Sequence, residues 1–267
     1  MQPSLPAETL LLDGPDAAAF AHAQFSSKVD SLTVGQWQFS AWLDANGRVR
    51  ALFHLARLDQ DRYLLLLRGG RAAELVEALR RFVFRSKLAL SALPVRALTT
   101  GEARPMHAVA HHGDVIALGC GSHSLEVSTT TPADDAWRLS QLREGWPWLP
   151  DSTLGVLLPA ALSLQRLHAV AVDKGCYPGQ EIVARLHFRG GHKRHLHRGK
   201  LSQPVEAGEV LRIDGREVGC LLDVVTSDAA IEALLVLNDD VVSPADASVA
   251  ATFDNPLEVT LQSSWPA

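Results

Sequence analysis

The sequence predicts an α+β protein with more than one lobe, ending in a small all-β domain. Three observations lead there. The chain has 267 residues, where a single domain takes about 100–200. Helical and strand-like patterns interleave through its earlier part, as mixed packing within a lobe requires. Beyond about Leu196 only short strand patterns and turn signals remain.

The elements follow in order. Asp13-Gly14-Pro15-Asp16 supplies a proline early in a helix and an aspartate in its first turn, so a short helix is expected from Pro15 to about Ser26. Strands are expected over Trp37–Leu43 and Val49–Leu58. The Ala45-Asn46-Gly47 stretch between them is a hairpin turn, because Asn-Gly suits its backbone. Tyr63–Leu67 is apolar throughout, which predicts a strand buried on both faces, and Gly69-Gly70 ends it. Arg71–Phe84 carries Leu75, Leu79 and Phe82 at helical spacing. Residues 88–131 are weaker in signal, with short strands expected at Val95–Leu98, His107–Ala110 and Val115–Leu118. Thr131-Pro132-Ala133-Asp134-Asp135 is a helix start and Gly145 a stop, giving a helix over Ala133–Glu144. In the tail, Val210–Ile213 and Glu217–Val225 flank Asp214-Gly215 as a hairpin. Ala233–Leu237, Val249–Phe253 and Val259–Leu261 complete the strands.

Composition narrows the function classes. Hydrophobic residues are 47% and charged residues 21%, a globular balance that excludes disorder as the main state. A net charge of −5 excludes bulk attraction to nucleic acid and leaves only a local basic patch. Cys120, Cys176 and Cys220 are an odd, widely spaced set that forms no disulfide framework and points to a reducing compartment. Met1 to Ala7 has no basic residue and no long apolar run, which argues against a secretory signal. Leu154–Leu164 is uncharged, but it is broken by Pro159 and falls short of the roughly 20 residues of a membrane helix. A cytoplasmic protein with no membrane partner is expected. No Gly-x-Ser-x-Gly elbow, Walker loop or dinucleotide fingerprint occurs.

Asp173-Lys174-Gly175-Cys176-Tyr177-Pro178-Gly179-Gln180-Glu181 is the most unusual stretch. Gly175 and Gly179 permit backbone conformations closed to other residues. Pro178 suits the first position of a helix, with Ile182, Val183 and Leu186 as its apolar face. Cys176 then precedes a helix N-terminus and lies near Lys174, and both features favour a thiolate. The plainer alternative is a tight loop with a small buried cysteine as filler. The crowding of Lys, Gly, Pro and Gln-Glu around one thiol favours function.

Lys174 to Glu181 resembles the signature of the YgfZ family of folate-binding proteins, which is related to the T-protein (aminomethyltransferase) of the glycine cleavage system. The family motif usually carries Thr where this chain has Pro178. The similarity continues through Val183-Ala184-Arg185, Phe188-Arg189-Gly190 and Lys193-Arg194. Upstream it takes in Trp137, Glu144-Gly145-Trp146-Pro147, Leu158-Pro159 and Leu164. Near the start it takes in Phe20, Gln24, Asp44 to Arg48 and Phe82 to Lys87. It covers most of the chain, and the cysteine motif is its specific part.

The resemblance implies a T-protein-like, multi-lobe fold around a central channel that holds tetrahydrofolate. One α+β lobe would be assembled from residues 1–87 and 132–195, a second and shortened lobe from 88–131, and a C-terminal β-barrel from 196–267. It implies support of iron–sulfur cluster assembly or repair and, through iron–sulfur enzymes, of tRNA modification. Iron–sulfur proteins or assembly factors are then the clients. Cys176 becomes the reactive group and Lys174 promotes its thiolate, while Gly175, Tyr177, Pro178, Gly179, Gln180 and Glu181 shape the loop. A folate pocket needs a flat platform, a hydrogen-bonding carboxylate or amide, and a cation for the acidic tail. Trp137, Glu144 and Arg185 are the candidates, the first two on one expected helix. T-proteins carry an acid a few positions after the Asn/Ser-Gly turn of the hairpin. Ala51 and Leu52 stand there in this chain and can neither accept a proton nor stabilise a cation. The resemblance thus implies an aminomethyltransferase fold without aminomethyl transfer. A folate-dependent one-carbon transferase, and an RNA- or protein-binding module without a folate role, are the alternatives.

His187, His192, His195 and His197 cluster with Arg185, Arg189, Lys193, Arg194, Arg198 and Lys200. The expectation is a solvated basic loop joining the lobe to the tail. The alternative is an anion patch for RNA, a polyglutamyl tail or an acidic partner. Only Phe188 interleaves, which disfavours direct nucleic-acid binding. His192, His195 and Cys176 lack the paired spacing of a metal site, so no metal is expected. A cysteine hydrolase needs a base beside the thiol, and nothing in the sequence fixes His168 or His187 there.

Overall fold

The computed structural model describes residues 5–129, 133–243, 248–249, 253–254 and 256–265. The fold is α+β. The chain divides into two compact units, each assembled from three segments. The first takes residues 1–43, 50–137 and 168–178, and the second takes 44–49, 138–167 and 179–267.

The first unit carries β1 (Pro6–Ala7), β2 (Thr9–Asp13), α1 (Ala17–Gln24), β3 (Gln36–Leu43), β4 (Val49–Asp59), β5 (Arg62–Leu67), α2 (Ala72–Arg80) and β6 (Ala89–Ala92). β7 (Arg96–Gly101), β8 (Val109–His112), β9 (Val115–Gly119) and β10 (Ser124–Ser128) follow. They make two five-stranded sheets, ordered β3-β4-β5-β2-β6 and β1-β7-β10-β9-β8. β5 is buried on both faces from Tyr63 to Leu67, as its unbroken apolar run predicts. Leu10, Leu12, Phe20, Phe25, Phe53, Leu65, Leu75 and Leu79 share one core cluster with it. α2 presents Leu75, Val76 and Leu79 to that cluster. The Glu8 carboxylate accepts the Ala72 N–H at 2.9 Å, satisfying a donor the helix cannot. α2 stops short of the expected Phe84, which is exposed.

Four strands of this unit were not expected. β1 is short, and β2 was hidden in an apolar run without alternation. β6 is mostly exposed, so it has no strong apolar pattern. β10, Ser-Leu-Glu-Val-Ser, does alternate, with Leu125 and Val127 buried.

α3 (Ala136–Arg143) crosses from the first unit into the second, which also carries α4 (Gln180–Arg189), β11 (Arg194–Leu201), β12 (Val210–Ile213), β13 (Arg216–Thr226) and β14 (Ile231–Asn238). β15 (Val242–Ser243), β16 (Ser248–Val249) and β17 (Val259–Trp265) complete it. The sheet runs β12-β13-β14-β11-β17-β16-β15, and among the described residues no ladder joins its two ends. The expected barrel is therefore corrected to an open sheet. Its β12 edge meets irregular chain instead of a strand. The Asp254 N–H donates to the Arg212 carbonyl at 2.8 Å, and the Asp254 carboxylate accepts the N–H groups of Asp214 (2.8 Å) and Gly215 (2.9 Å). Side-chain caps take the place of ladder bonds there. Residues 250–252 of the expected strand Val249–Phe253, and Thr131-Pro132 of the expected helix start, lie outside the described residues.

The expected basic loop is corrected as well. Residues 194–201 are β11, an interior strand with antiparallel ladders to β14 and β17. Leu196, His197 and Leu201 are buried in it. Two ion pairs hold the later turns of α3 in this unit: Arg138 with Asp223, and Arg143 with Glu232 at 2.5 Å.

Candidate functional site

Residues 168–178 lie within the first unit, and the end of α1 is their foundation. The Ala171 N–H donates to the Ser26 carbonyl at 2.8 Å, and the Ser26 hydroxyl donates to the Ala169 carbonyl at 2.6 Å. Lys174 Nζ donates to the carbonyls of His22 (2.6 Å), Phe25 (2.7 Å) and Ser27 (2.8 Å). Carbonyls at a helix C-terminus lack partners within the helix and favour a cation. An ammonium has three N–H donors, so this foundation engages them all. Burial pulls the Lys174 pKa down to about 8.

Lys174 Nζ also lies 5.1 Å from the centre of the Tyr177 ring. The Tyr177 hydroxyl donates to the Ala171 carbonyl at 2.8 Å, and burial raises its pKa. Lys28 pairs with Asp173 at 2.5 Å. The loop is thus pinned on both sides of Cys176, which is exposed. Lys174 has the geometry of a staple between loop and helix, where the sequence suggested a thiolate promoter.

Two motif positions are corrected. Gly175 has no positive φ, and a Cβ on it would meet nothing within 4 Å, so its backbone makes no demand for glycine. Pro178 is not at the first helical position. Gly179 is the N-cap of α4 with φ 77°, a left-handed backbone that a helix cannot include, so the helix starts at Gln180.

Within the second unit, Gly179 meets the hairpin turn. A Cβ there would lie 2.5 Å from the Asp44 carbonyl oxygen and 2.7 Å from Gly47 Cα. Gly47 has φ 76°, and its own Cβ would stand 3.0 Å from Ile182 Cβ. The Asp44 carboxylate accepts the N–H groups of Asn46 (2.8 Å) and Arg48 (2.9 Å), fixing the turn. Two motifs far apart in sequence therefore require each other's glycine. Past the cap, Glu181 sits in the first turn of α4, where a carboxylate is favoured. Arg185, His187, Phe188 and Arg189 are exposed on the same helix. Beside it lies a cavity of about 450 Å³, lined by Arg48, His192 and Arg194 together with Leu157 and Ile182.

The expected folate contacts fare differently. Trp137 is 1% exposed. Its indole N–H donates to the Asp134 carbonyl at 3.0 Å, and its backbone N–H donates to Thr100 Oγ1 at 3.0 Å. The helix begins at Ala136, whose N–H is accepted by the Asp134 carboxylate at 3.0 Å, and ends at Arg143. Glu144 therefore lies past the helix, exposed in the second unit, while Trp137 belongs to the first. Ala51 and Leu52, at the acidic position of T-proteins, are buried.

One pair escaped the sequence reading. Arg68 is 1% exposed, and its Nη1 lies 2.9 Å from Nε2 of the fully buried His54. Arginine only donates, so Nε2 accepts and Nδ1 carries the proton. That Nδ1 is buried and has no hydrogen-bond partner among the described residues. Burial above all, then Arg68, His107 and His123, holds the His54 pKa well below its usual value. The Trp37 and Phe39 rings pack at 4.5 and 4.7 Å from it. The available signal was a histidine inside an apolar strand and an arginine ending a leucine run.

Among the described residues no group of three His, Cys, Asp or Glu side chains is placed to hold a metal ion. No described helix is long and apolar enough to cross a membrane.

No protein-family model matches the chain. It is similar to the tRNA-modifying protein YgfZ of Sodalis glossinidius, with 26% identity over 272 residues that cover 87% of this chain and 83% of that protein. The YgfZ of Klebsiella pneumoniae is 27% identical over 269 residues, covering 86% and 82%. Among solved structures, the glycine cleavage system aminomethyltransferase T from Bartonella henselae superposes with a TM-score of 0.65 at 18% identity, covering 88% of this chain and 77% of that one. The structural likeness speaks for fold, and the sequence likeness extends the motif's resemblance over most of both chains. The chain is therefore similar to the YgfZ proteins in sequence and to aminomethyltransferase T in fold.

Proposed function

We propose that the chain is a tetrahydrofolate-binding accessory protein that supports iron–sulfur enzymes, tRNA-modifying ones among them, through the thiol of Cys176. One observation carries this reading: Cys176 is the exposed cysteine, and it is mounted on a loop stapled by Lys174 and anchored by Tyr177. Burial pushes Cys120 up to about 12 and Cys220 up to about 11, which removes both from thiolate chemistry at neutral pH. A lone, rigidly held thiol suits sulfur exchange or transient ligation of iron, both of which need an accessible thiolate. The relatives' name supplies the process, tRNA modification. An exposed Cys176 thiol outside any disulfide accords with work in the reducing cytoplasm.

The folate part is supported by the fold likeness and by two of three side chains. Glu144 and Arg185 are exposed and have the chemistry to accept from a heterocycle's N–H groups and to meet an acidic tail. Trp137 does not fit as a stacking platform, because its ring is enclosed and its indole N–H is engaged. A bound tetrahydrofolate supplies a one-carbon carrier. With alanine and leucine at the acidic position, aminomethyl transfer is not part of the function.

The test compares wild type with Cys176→Ala in a bacterial strain deleted for its own YgfZ protein. Wild type is expected to restore the iron–sulfur-dependent tRNA modification, while the variant, folded by circular dichroism, does not. Full restoration by the variant overturns the thiol's role. Saturable quenching of tryptophan fluorescence by tetrahydrofolate is expected, and its absence at millimolar ligand overturns the folate part.

A further inference from the structure

We infer that the cavity of the second unit is a binding site for a small organic acid, one that carries a carboxylate or phosphate on a flat apolar body. Neither the motif loop nor the expected folate contacts Trp137, Glu144 and Arg185 line it. Its volume of about 450 Å³ falls within the range of about 300–1,000 Å³ for small-molecule sites. Leu157, Ala161 and Ile182 provide apolar wall, and Asn46, Arg48, His192 and Arg194 provide the polar groups. Two guanidinium groups line it and, among the described residues, no carboxylate does, which selects an anion.

The backbone that carries these polar groups is held in place before any ligand arrives. Arg48 stands on the hairpin turn that the Asp44 carboxylate fixes and that Gly179 backs. Arg194 opens β11, where its Nε donates to Asn238 Oδ1 at 2.9 Å and its Nη2 lies 3.4 Å from Glu217 Oε1. Glu217 offsets part of one charge and leaves that of Arg48. His192 adds an independent sign of a missing partner. Its Nε2 is buried and has no hydrogen-bond partner among the described residues, and the ring interacts with the backbone of Arg194. The nearby His195 ring, 5.7 Å away, is engaged by Asp239 and does not fill the role. Burial, with the charge of His195 next, keeps the His192 pKa below its usual value, so a neutral ring offers Nε2 to a polar group of the ligand. The fitting ligand therefore has a hydrogen-bonding group beside its anionic head.

Two sources share this chemistry: the aminobenzoyl-glutamate half of a folate, and a nucleoside monophosphate. The experiment titrates the full chain calorimetrically with p-aminobenzoyl-glutamate and, separately, with adenosine 5′-monophosphate. Two variants accompany it. Arg48→Gln removes an exposed cation while the backbone N–H that the turn uses remains. Val156→Glu sets a carboxylate at a lining position that is 51% exposed. At least one probe is expected to bind wild type, at least tenfold more weakly to Arg48→Gln, and undetectably to Val156→Glu, with both variants melting as wild type does. Binding of p-aminobenzoyl-glutamate identifies a folate-tail pocket, and binding of adenosine monophosphate identifies a nucleotide site apart from folate. Absence of binding by either probe at millimolar concentration overturns the inference, as does binding that both variants leave unchanged. Failure of tetrahydrofolate to bind, with the nucleotide still bound through Arg48, removes the folate reading and leaves this site standing.

Discussion

At the scale of single residues, the environment of Cys176 is set by neighbours that hold its loop. Lys174 spends its donors on three carbonyls and Tyr177 spends its hydroxyl on a fourth. Hydrogen bonds from a charged donor contribute about 1.5–3 kcal/mol each before desolvation is subtracted. Lys174→Met is expected to lower stability by about 2–4 kcal/mol, read as a lower urea midpoint at unchanged slope. An unchanged midpoint would show that the staple is not formed in solution. Cys176 and its neighbours were legible in the sequence because so many special residue types crowd there. The role of Lys174 was not, because its acceptors lie about 150 positions upstream, |i−j| being 147 to 152. His54 and Arg68 were illegible for a related reason: only the fold shows that both are enclosed.

At the scale of elements, α4 and β11 teach opposite lessons. The start of α4 was legible to within two residues, since Pro-Gly-Gln-Glu signals a helix start, and the left-handed backbone of Gly179 accounts for the shift. Gly179→Ala combines a left-handed backbone, costing roughly 1–2 kcal/mol, with a contact of 2.5 Å to a carbonyl oxygen. It is expected to destabilise the protein by at least about 2 kcal/mol in denaturant titration. Gly175→Ala, with open space around it, is expected to be neutral in the same titration. β11 was missed because His195, His197, Arg198 and Lys200 suggest solvent, whereas strand identity here comes from ladders on both sides. One consequence is acid sensitivity. Burial holds His197 at about 4, against 6.5 unperturbed. A folded pKa below the unfolded one means that the unfolded chain binds more protons between those values, so stability falls as pH falls from 6.5 to 4. The His197 share is about 3 kcal/mol. His197→Asn is expected to flatten stability against pH in that window, and an unaltered slope would place the titration elsewhere.

At the scale of the whole molecule, three segments make each unit, so neither is a contiguous piece. Asp223 and Glu232 are buried in the C-terminal sheet with Arg138 and Arg143 as partners, and those arginines come from α3. Removing one partner of the buried pair, Arg138 with Asp223, costs about 3–5 kcal/mol. A fragment of residues 179–267 lacks both arginines, and it is expected to show no cooperative thermal transition. A sharp transition would mean that the sheet folds alone. The α+β class was legible from periodicity. The open edge of the C-terminal sheet was not, because a cap from Asp254 leaves no strand pattern to read.

The stapled lysine has a use beyond holding its loop. An amine whose N–H bonds are all engaged does not react with acylating reagents until the loop leaves α1. Acylation of Lys174, followed by peptide mass against exposed Lys193 and Lys200, becomes a clock for local opening. It reports how often the mount of the thiol comes undone without touching the thiol.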